Sequence, residues 1–286
     1  MDFIRSLKKG AAAAASSYKI QVTIWLTTLL MVLLVALPLK SAFKGIFGSS
    51  LSAEKLTGGF DRGMIGDMGD KFRYLMASAS TGSLLLVLAG FLLYTFFAGG
   101  LFTRFTIAYG ELKLSSFMKA SAHNFMPFLK IALLTYLTVG IYSIIILLIP
   151  AGIILALSDG YMPGMKPMII PCVIWAAGMP VWLFVADYSR RWVAATGSHK
   201  VFRALGAGFS ALKKGFWRSY STVLVIAALN VVFFLVSIWF AAWTVPEKGL
   251  MIFLFFLATQ ILFLIRLFMK SWRYATVSLL PVGQKV

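Results

Sequence analysis

Six apolar stretches, each about 20 residues long, constrain this chain more than any other feature. They cover residues 20–39, 83–102, 131–149, 168–186, 221–243 and 250–269. A helix rises about 1.5 Å per residue, so about 20 residues cross the roughly 30 Å of a bilayer's hydrocarbon core. Within the bilayer, a helix satisfies every backbone polar group without water. The pattern therefore predicts an all-α fold, a polytopic bundle of six transmembrane helices that forms one integral membrane domain over residues 1–286.

The composition agrees with the bilayer as the solvent. Hydrophobic residues make up 60% of the 286 and charged residues only 13%, whereas a soluble protein has about 45–50% and about 25%. The formal net charge is +18, from 27 Lys and Arg against 9 Asp and Glu. In a soluble protein this excess would suggest a nucleic-acid partner. In a membrane protein it indicates asymmetric topology and attraction to anionic headgroups, so we expect membrane lipids and no nucleic acid as partners.

Basic residues gather on one side of the predicted spans. The N-terminal tail, the second and fourth connections and the C-terminal end together hold 19 of the 27. Because the side richer in Lys and Arg faces the cytoplasm, both termini are predicted to be cytoplasmic. Residues 40–81 then form the long external loop. The first span is longer than a typical signal-peptide core and lacks a clean cleavage site, so we interpret it as an uncleaved anchor.

Two of the basic connections, residues 104–130 and 187–219, have apolar residues at helical spacing, with Lys and Arg elsewhere. In the first, Phe117, Phe125 and Phe128 recur in this way. This pattern is typical of helices lying in the headgroup plane, and the alternative is a soluble helix that caps the bundle. The predicted contacts to anionic lipid in the second segment are Arg190, Arg191, Lys200, Arg203, Lys213, Lys214 and Arg218.

These two segments also align with each other at an offset of 84 residues. Ala120 falls on Ala204, Phe125 on Phe209, Lys130 on Lys214 and Lys119 on Arg203. The N-terminal tail fits the same register, with Arg5 at the basic position and Ser6 at the small one. The alignment predicts three copies of a unit made of an amphipathic helix followed by two spans.

Polar groups inside a bilayer are costly, so they are the first candidates for a site. Asn230 and Gln260 lie near the middle of the fifth and sixth spans. A tight turn joins these spans, so a direct hydrogen bond between the two amides is predicted, with a transport site as the alternative. Asp187 and Arg266 both lie toward the cytoplasmic ends of their spans. We predict an ion pair between them, with snorkelling of Arg266 as the alternative.

Groups that carry catalysis do not form a recognisable pattern. The two histidines, His123 and His199, lie in basic segments, and Cys172 is the single cysteine. Metalloprotease, phosphate-loop and nucleophile-elbow motifs are missing from the sequence. We therefore expect no cofactor, no metal and no enzymatic reaction. The favoured interpretation is a membrane component that binds lipid or an unidentified membrane protein, and the alternative is a transporter or channel for a small solute or lipid.

Three short motifs resemble those of a known group of proteins. They are the sequence Asp-Tyr-Ser-Arg-Arg at 187–191, the stretch 51–61 that ends in Gly-Phe-Asp, and residues 117–130. The chain is similar in these to uncharacterised bacterial six-span proteins, including the membrane domain attached to some glycerophosphodiester phosphodiesterases. The resemblance implies a bacterial inner-membrane protein without an assigned reaction. The chain has no counterpart of the phosphodiesterase catalytic domain, so that activity is not implied.

Overall fold

The structure is a computed structural model that describes residues 2–47, 62–106, 113–157, 166–244 and 249–280. Within these ranges the chain is helical, and no strand is found. The helices are α1 (Asp2–Ala15), α2 (Tyr18–Phe47), α3 (Arg62–Thr106), α4 (Leu114–Ser143), α5 (Ile149–Leu157), α6 (Ile169–Thr196), α7 (Val201–Lys214), α8 (Phe216–Trp243) and α9 (Gly249–Leu279).

Six of the described segments are long and apolar enough to cross a membrane. They are Tyr18–Ser41, Met76–Thr106, Leu114–Leu157, Lys166–Thr196, Phe216–Trp243 and Gly249–Leu279. Their large apolar side chains are mostly exposed in the isolated chain, because a bilayer supplies the apolar environment that a soluble core would otherwise provide. The prediction of an all-α polytopic bundle with six spans is confirmed.

The first hairpin contains a compact unit, Thr23–Tyr94, in which the helices extend well beyond the predicted spans. Helix α3 has 45 residues, a length of about 68 Å. Within this unit, Gly82 faces Val35 and Gly90 faces Met31, so α2 and α3 lie side by side. Much of the predicted external loop, 40–81, therefore continues these two helices. Its middle, with the motif at 51–61, lies outside the described residues.

The structure of α4 differs from the interfacial helix predicted for this segment. Residues 104–130 do not form a separate interfacial helix, because α3 ends at Thr106 and α4 runs from Leu114 straight into the third span. The corresponding junctions are interrupted by Ser16 and Ser17 after α1, and by Gly215 after α7. In the predicted repeat, the position of Gly215 is occupied by Ile131, which has no tendency to break a helix. The amphipathic segment and the span therefore fuse.

The third span contains a wide helical turn just before a proline. Residues Ile144–Leu148 are π-helical, and the Ile149 N–H donates to the carbonyl of Ile144. Pro150 has no N–H, and its ring would clash with the carbonyl four residues earlier in a regular helix. A π-turn is a usual way to accommodate such a clash, and the helix continues as α5.

The second compact unit comprises Met1–Val22 and Thr95–Val286, and α6 lies at its centre. Helix α6 packs against α4, α7, α8 and α9. The residues buried in this core are Phe184, Val185, Tyr188, Ala211, Leu212, Val223, Val277 and Leu280. Helix α6 stops at Gly197, whose left-handed conformation (φ 63°) lets its N–H cap the Val193 carbonyl at 2.8 Å. This stop allows α7 to fold back along α6.

One type of helix contact occurs three times in this unit. The hydroxyls of Thr103, Ser189 and Thr276, in α3, α6 and α9, each donate to the carbonyl four residues earlier at 2.6–2.9 Å. Against them lie Asn124 of α4, Gly208 of α7 and Gly10 of α1. Asn124, Gly208 and Gly10 occupy equivalent positions in the predicted repeat. Positions 124 and 208 differ by 84, and Gly10 precedes Asn124 by the same number of residues as Arg5 precedes Lys119.

Each amphipathic segment thus packs on the second span of the preceding unit, and α1 closes the series by packing on α9. We call the region where these contacts meet the basic end. It consists of α1, residues 114–130, α7 and the last turns of α3, α6 and α9. Phe102 of α3 and Tyr274 of α9 also meet there, with ring centroids 4.6 Å apart. The pattern is the one expected of three repeats that close on themselves.

Candidate functional site: a buried carboxylate at the basic end

Asp187 is the only acidic residue in the six membrane-spanning segments, and its environment defines the candidate site. Its side chain is buried in the last turns of α6. One carboxylate oxygen accepts a bond from Arg190 Nη1 at 3.1 Å, and the other accepts one from Arg273 Nε at 2.7 Å. Both arginine side chains are less than one-fifth exposed. The carboxylate therefore joins its own helix to α9 through two charge-assisted hydrogen bonds.

Arg273, and not Arg266, is the partner of Asp187 from the sixth span, so the pair predicted from the sequence is corrected. Counted from the helix starts, Asp187 is level with Arg266, but the contact is made by Arg273, so α9 begins six residues further from this contact than α6 does. Asp187 follows Ile169 by 18 residues, whereas Arg266 follows Gly249 by 17 and Arg273 by 24. Arg273 is two turns beyond Arg266 on the same face of α9, where it meets Asp187.

Lys270 adds a further cation to this group. It is half-buried on α9, between Arg266 and Arg273, and it lies within electrostatic reach of Arg190 and Asp187. We call Asp187, Arg190, Lys270 and Arg273 the Asp187 cluster. One carboxylate faces three cations, so the cluster carries excess positive charge in a region of low dielectric. Such an arrangement can hold the helices in register.

A second arginine of the same motif secures the end of α9. Arg191 Nη1 donates to the carbonyl of Leu280 at 2.8 Å, and its guanidinium lies 5.2 Å from the ring centre of Tyr188. The last carbonyls of a helix have no partner within the helix, and a cation there also opposes the negative end of the helix dipole. Trp272 of α9 in turn donates to the carbonyl of Leu7 in α1 at 2.9 Å. The motif at 187–191 therefore has a structural role.

The predicted lipid contacts divide into two groups. Arg190 and Arg191 bind within the protein, as described above, and Arg218 is half-buried. The side chains of Lys200, Arg203, Lys213 and Lys214 are exposed. Two aromatic side chains beside them are also exposed, Phe202 by 81% and Trp217 by 79%. We call these six residues, Lys200, Phe202, Arg203, Lys213, Lys214 and Trp217, the aromatic–basic strip.

Helix α7 has features of both alternatives from the sequence analysis, a helix that caps the bundle and a helix that lies in the headgroup plane. One stripe of small and aliphatic residues, Val201, Ala204, Gly208, Ala211 and Leu212, is buried. Its packing against α6 is that of a helix capping the bundle. The opposite side presents Phe202, Arg203, Lys213 and Lys214, four of the six residues of the aromatic–basic strip. Exposed aromatic rings together with Lys and Arg are typical of residues at the level of lipid headgroups.

The amide pair predicted for the fifth and sixth spans is not resolved by the structure. Asn230 Nδ2 donates to the carbonyl of Ile226 in its own helix at 2.8 Å. Gln260 is half-buried on α9 and has a partner of its own. The direct bond between the two amides therefore stays a prediction. Asn230 does share a groove with Arg266, which the sequence did not suggest.

Several polar side chains in the spans bind neighbouring helices. Tyr142 of α4 donates to the carbonyl of Ile174 in α6 at 2.7 Å, and Trp175 of α6 donates back to Ser143 at 2.9 Å. Tyr220 of α8 donates to Ala177 at 3.0 Å. Bonds of this kind between membrane helices contribute roughly 0.6–2 kcal/mol each. The hydroxyl and indole groups thus join neighbouring spans.

Lys270 and Arg273 of the Asp187 cluster are not predicted from the sequence analysis above, although their spacing in the sequence indicates them. Arg266, Lys270 and Arg273 are spaced by four and three residues, which places them on one face of a helix. This spacing makes all three candidates for the partner of Asp187. The cap formed by Arg191 has no comparable signal, because it depends on how far α9 extends.

Comparisons with known proteins add no relative to this description: no protein family, no curated protein and no solved structure matches the chain.

Proposed function

We propose that this protein is a non-enzymatic, multi-pass component of a bacterial inner membrane that binds anionic phospholipids at its basic end. Both termini and the aromatic–basic strip then face the cytoplasm. The observation that carries the proposal is the strip itself, in which four exposed cations and two exposed rings lie on α7 or within three residues of its ends. Each basic residue at an anionic membrane surface contributes about 1 kcal/mol of attraction.

The distribution of charge supports the orientation. The side assigned to the cytoplasm holds 19 of the 27 basic residues, as the positive-inside rule requires. The motif at 187–191 stabilises the basic end, since its Asp and both Arg residues bind there. The polar bonds between spans support a binding component rather than a transporter.

Removing the strip's charge should reduce the preference for anionic lipid. The full chain is reconstituted in mixed bilayers, and electron spin resonance measures the association of spin-labelled phosphatidylglycerol relative to phosphatidylcholine. We expect replacement of Lys200, Arg203, Lys213 and Lys214 by Gln to lower this ratio at least threefold, roughly, because their attraction is lost. Added salt should lower the wild-type ratio in the same direction.

The matched control removes four exposed basic residues of the opposite side, Lys40, Lys44, Arg73 and Lys166. They lie on three different helical segments, so we expect a clearly smaller loss of selectivity. An equal loss in both variants would mean that net charge alone acts, and the strip would then have no special role. An unchanged ratio in the strip variant would contradict the proposed function.

A further inference from the structure

Helices α8 and α9 form an open groove between them. Its volume is about 370 Å³, within the range of small-molecule sites. Apolar side chains, among them Phe233, Phe234, Leu262 and Phe263, form most of its lining. The polar residues of the lining are Asn230, Ser237 and Arg266. The groove thus offers a long apolar surface with a single full charge.

Of the three polar residues, Arg266 is the one that needs an external partner. Asn230 donates to Ile226, and Ser237 donates to Phe233 at 2.8 Å. The Arg266 side chain is exposed and forms no hydrogen bond or ion pair within the described part of the chain. A guanidinium is always charged and has five donors, and placing one in hydrocarbon without a partner is costly. Lys270, one turn further along α9, repels it.

The position of Arg266 along α9 indicates what the partner is. It follows Gly249 by 17 residues, about 25 Å of helix, which places it toward the basic end of the sixth span. Its side chain can reach the headgroup level of the leaflet on the side of the basic end. Ala241, near the other end of α8, lines the far end of the groove. A guanidinium binds phosphate through two parallel hydrogen bonds.

We propose that this groove is a specific site for one phospholipid, with the phosphate on Arg266 and an acyl chain lying between α8 and α9 toward Ala241. The lipid comes from the leaflet at the basic end, so this inference rests on the orientation in the proposed function. It adds a single, saturable site that is separate from the aromatic–basic strip. The site recognises both a phosphate and a chain, whereas the strip attracts charge alone.

The test is native mass spectrometry of the purified full chain during titration with dioleoyl phosphatidylglycerol. We expect one lipid to bind before all others, and dioleoylglycerol, which has the same chains without a phosphate, not to displace it. Arg266→Gln should weaken this first binding roughly tenfold, because charge-assisted hydrogen bonds to the phosphate are lost. Arg266→Lys should weaken it less, since the charge remains.

A second variant tests the acyl-chain part of the site. Ala241 is exposed, so Ala241→Trp is expected to fold and to block the far end of the groove. It should weaken binding of the dioleoyl lipid but leave binding of a dihexanoyl lipid unchanged. Unchanged first binding in Arg266→Gln, or equal effects of Ala241→Trp on both lipids, would overturn the inference.

The variant that removes the strip's four cations separates the two proposals. It should keep the first bound lipid while losing the preference measured by spin resonance. If Arg266→Gln has no effect but the strip variant does, the groove site is refuted and the proposed function stands. If the strip variant has no effect but Arg266→Gln does, the groove site stands alone.

Discussion

Asp187→Asn is expected to lower the free energy of unfolding by about 3–5 kcal/mol, the largest single effect in this protein. The amide has the shape of the carboxylate but not its charge. Arg190, Lys270 and Arg273 would then face one another at the basic end with no anion between them. SDS-driven unfolding of the purified protein in mixed micelles, followed by circular dichroism, measures the change.

Arg266→Gln is the matched control for this prediction. It removes a charge from the same face of α9, two turns from Arg273, but Arg266 is exposed and has no ion pair among the described residues. Because an unpaired charge is removed, we expect no loss of stability beyond about 0.5 kcal/mol. A loss as large as that of Asp187→Asn would show that the partner of Asp187 is Arg266 after all.

A double-mutant cycle then isolates the pair between α6 and α9. Adding Arg273→Gln to Asp187→Asn removes one of the unbalanced cations, so the double variant should be less destabilised than the sum of the two single variants. Residues in one ion-pair network usually couple by 0.5–3 kcal/mol, roughly. Simple additivity would contradict the geometry at 2.7 Å between Arg273 and Asp187.

The sequence predicted those features that depend on composition and period. Six spans follow from the length of the apolar stretches, and a register of three repeats follows from the 84-residue offset. The register was sharp enough to place Asn124 and Gly208 at equivalent positions, and the structure packs both against hydroxyl-bearing turns. Predicting these features requires no knowledge of how deep each residue lies in the membrane, because each feature is a property of a single helix.

Other features depend on how helices align with one another, and the sequence does not contain that information directly. The apolar stretch points to Arg266 as the partner of Asp187 because it ends near that residue, whereas α9 continues to Leu279. Helix α7 has one buried face and one exposed face, and the apolar stripe in its sequence does not show whether that stripe packs on protein or on lipid. The fusion of residues 114–130 with the third span depended on Ile131 having no helix-breaking tendency.

Gly208→Ala is expected to destabilise the protein by about 1–3 kcal/mol, although it adds only a methyl group. A Cβ at this position would lie 2.8 Å from Ser189 Oγ and 2.8 Å from the carbonyl oxygen of Val185. The carbonyl belongs to the backbone of α6 and cannot rotate away, so α7 must move off α6 or α6 must bend. The measurement is again the free energy of unfolding in mixed micelles.

The same helix supplies the control. Gly206 lies two residues before Gly208 in α7, and a Cβ there would meet no neighbouring atom within 4 Å. Gly206→Ala should therefore stabilise the protein by about 0.5–1 kcal/mol through helix propensity alone. Opposite signs at 206 and 208 would establish that α7 packs tightly on α6 through one face only. Equal signs would mean that α7 does not rest on α6, and the aromatic–basic strip would lose the fixed helix that presents it to the membrane.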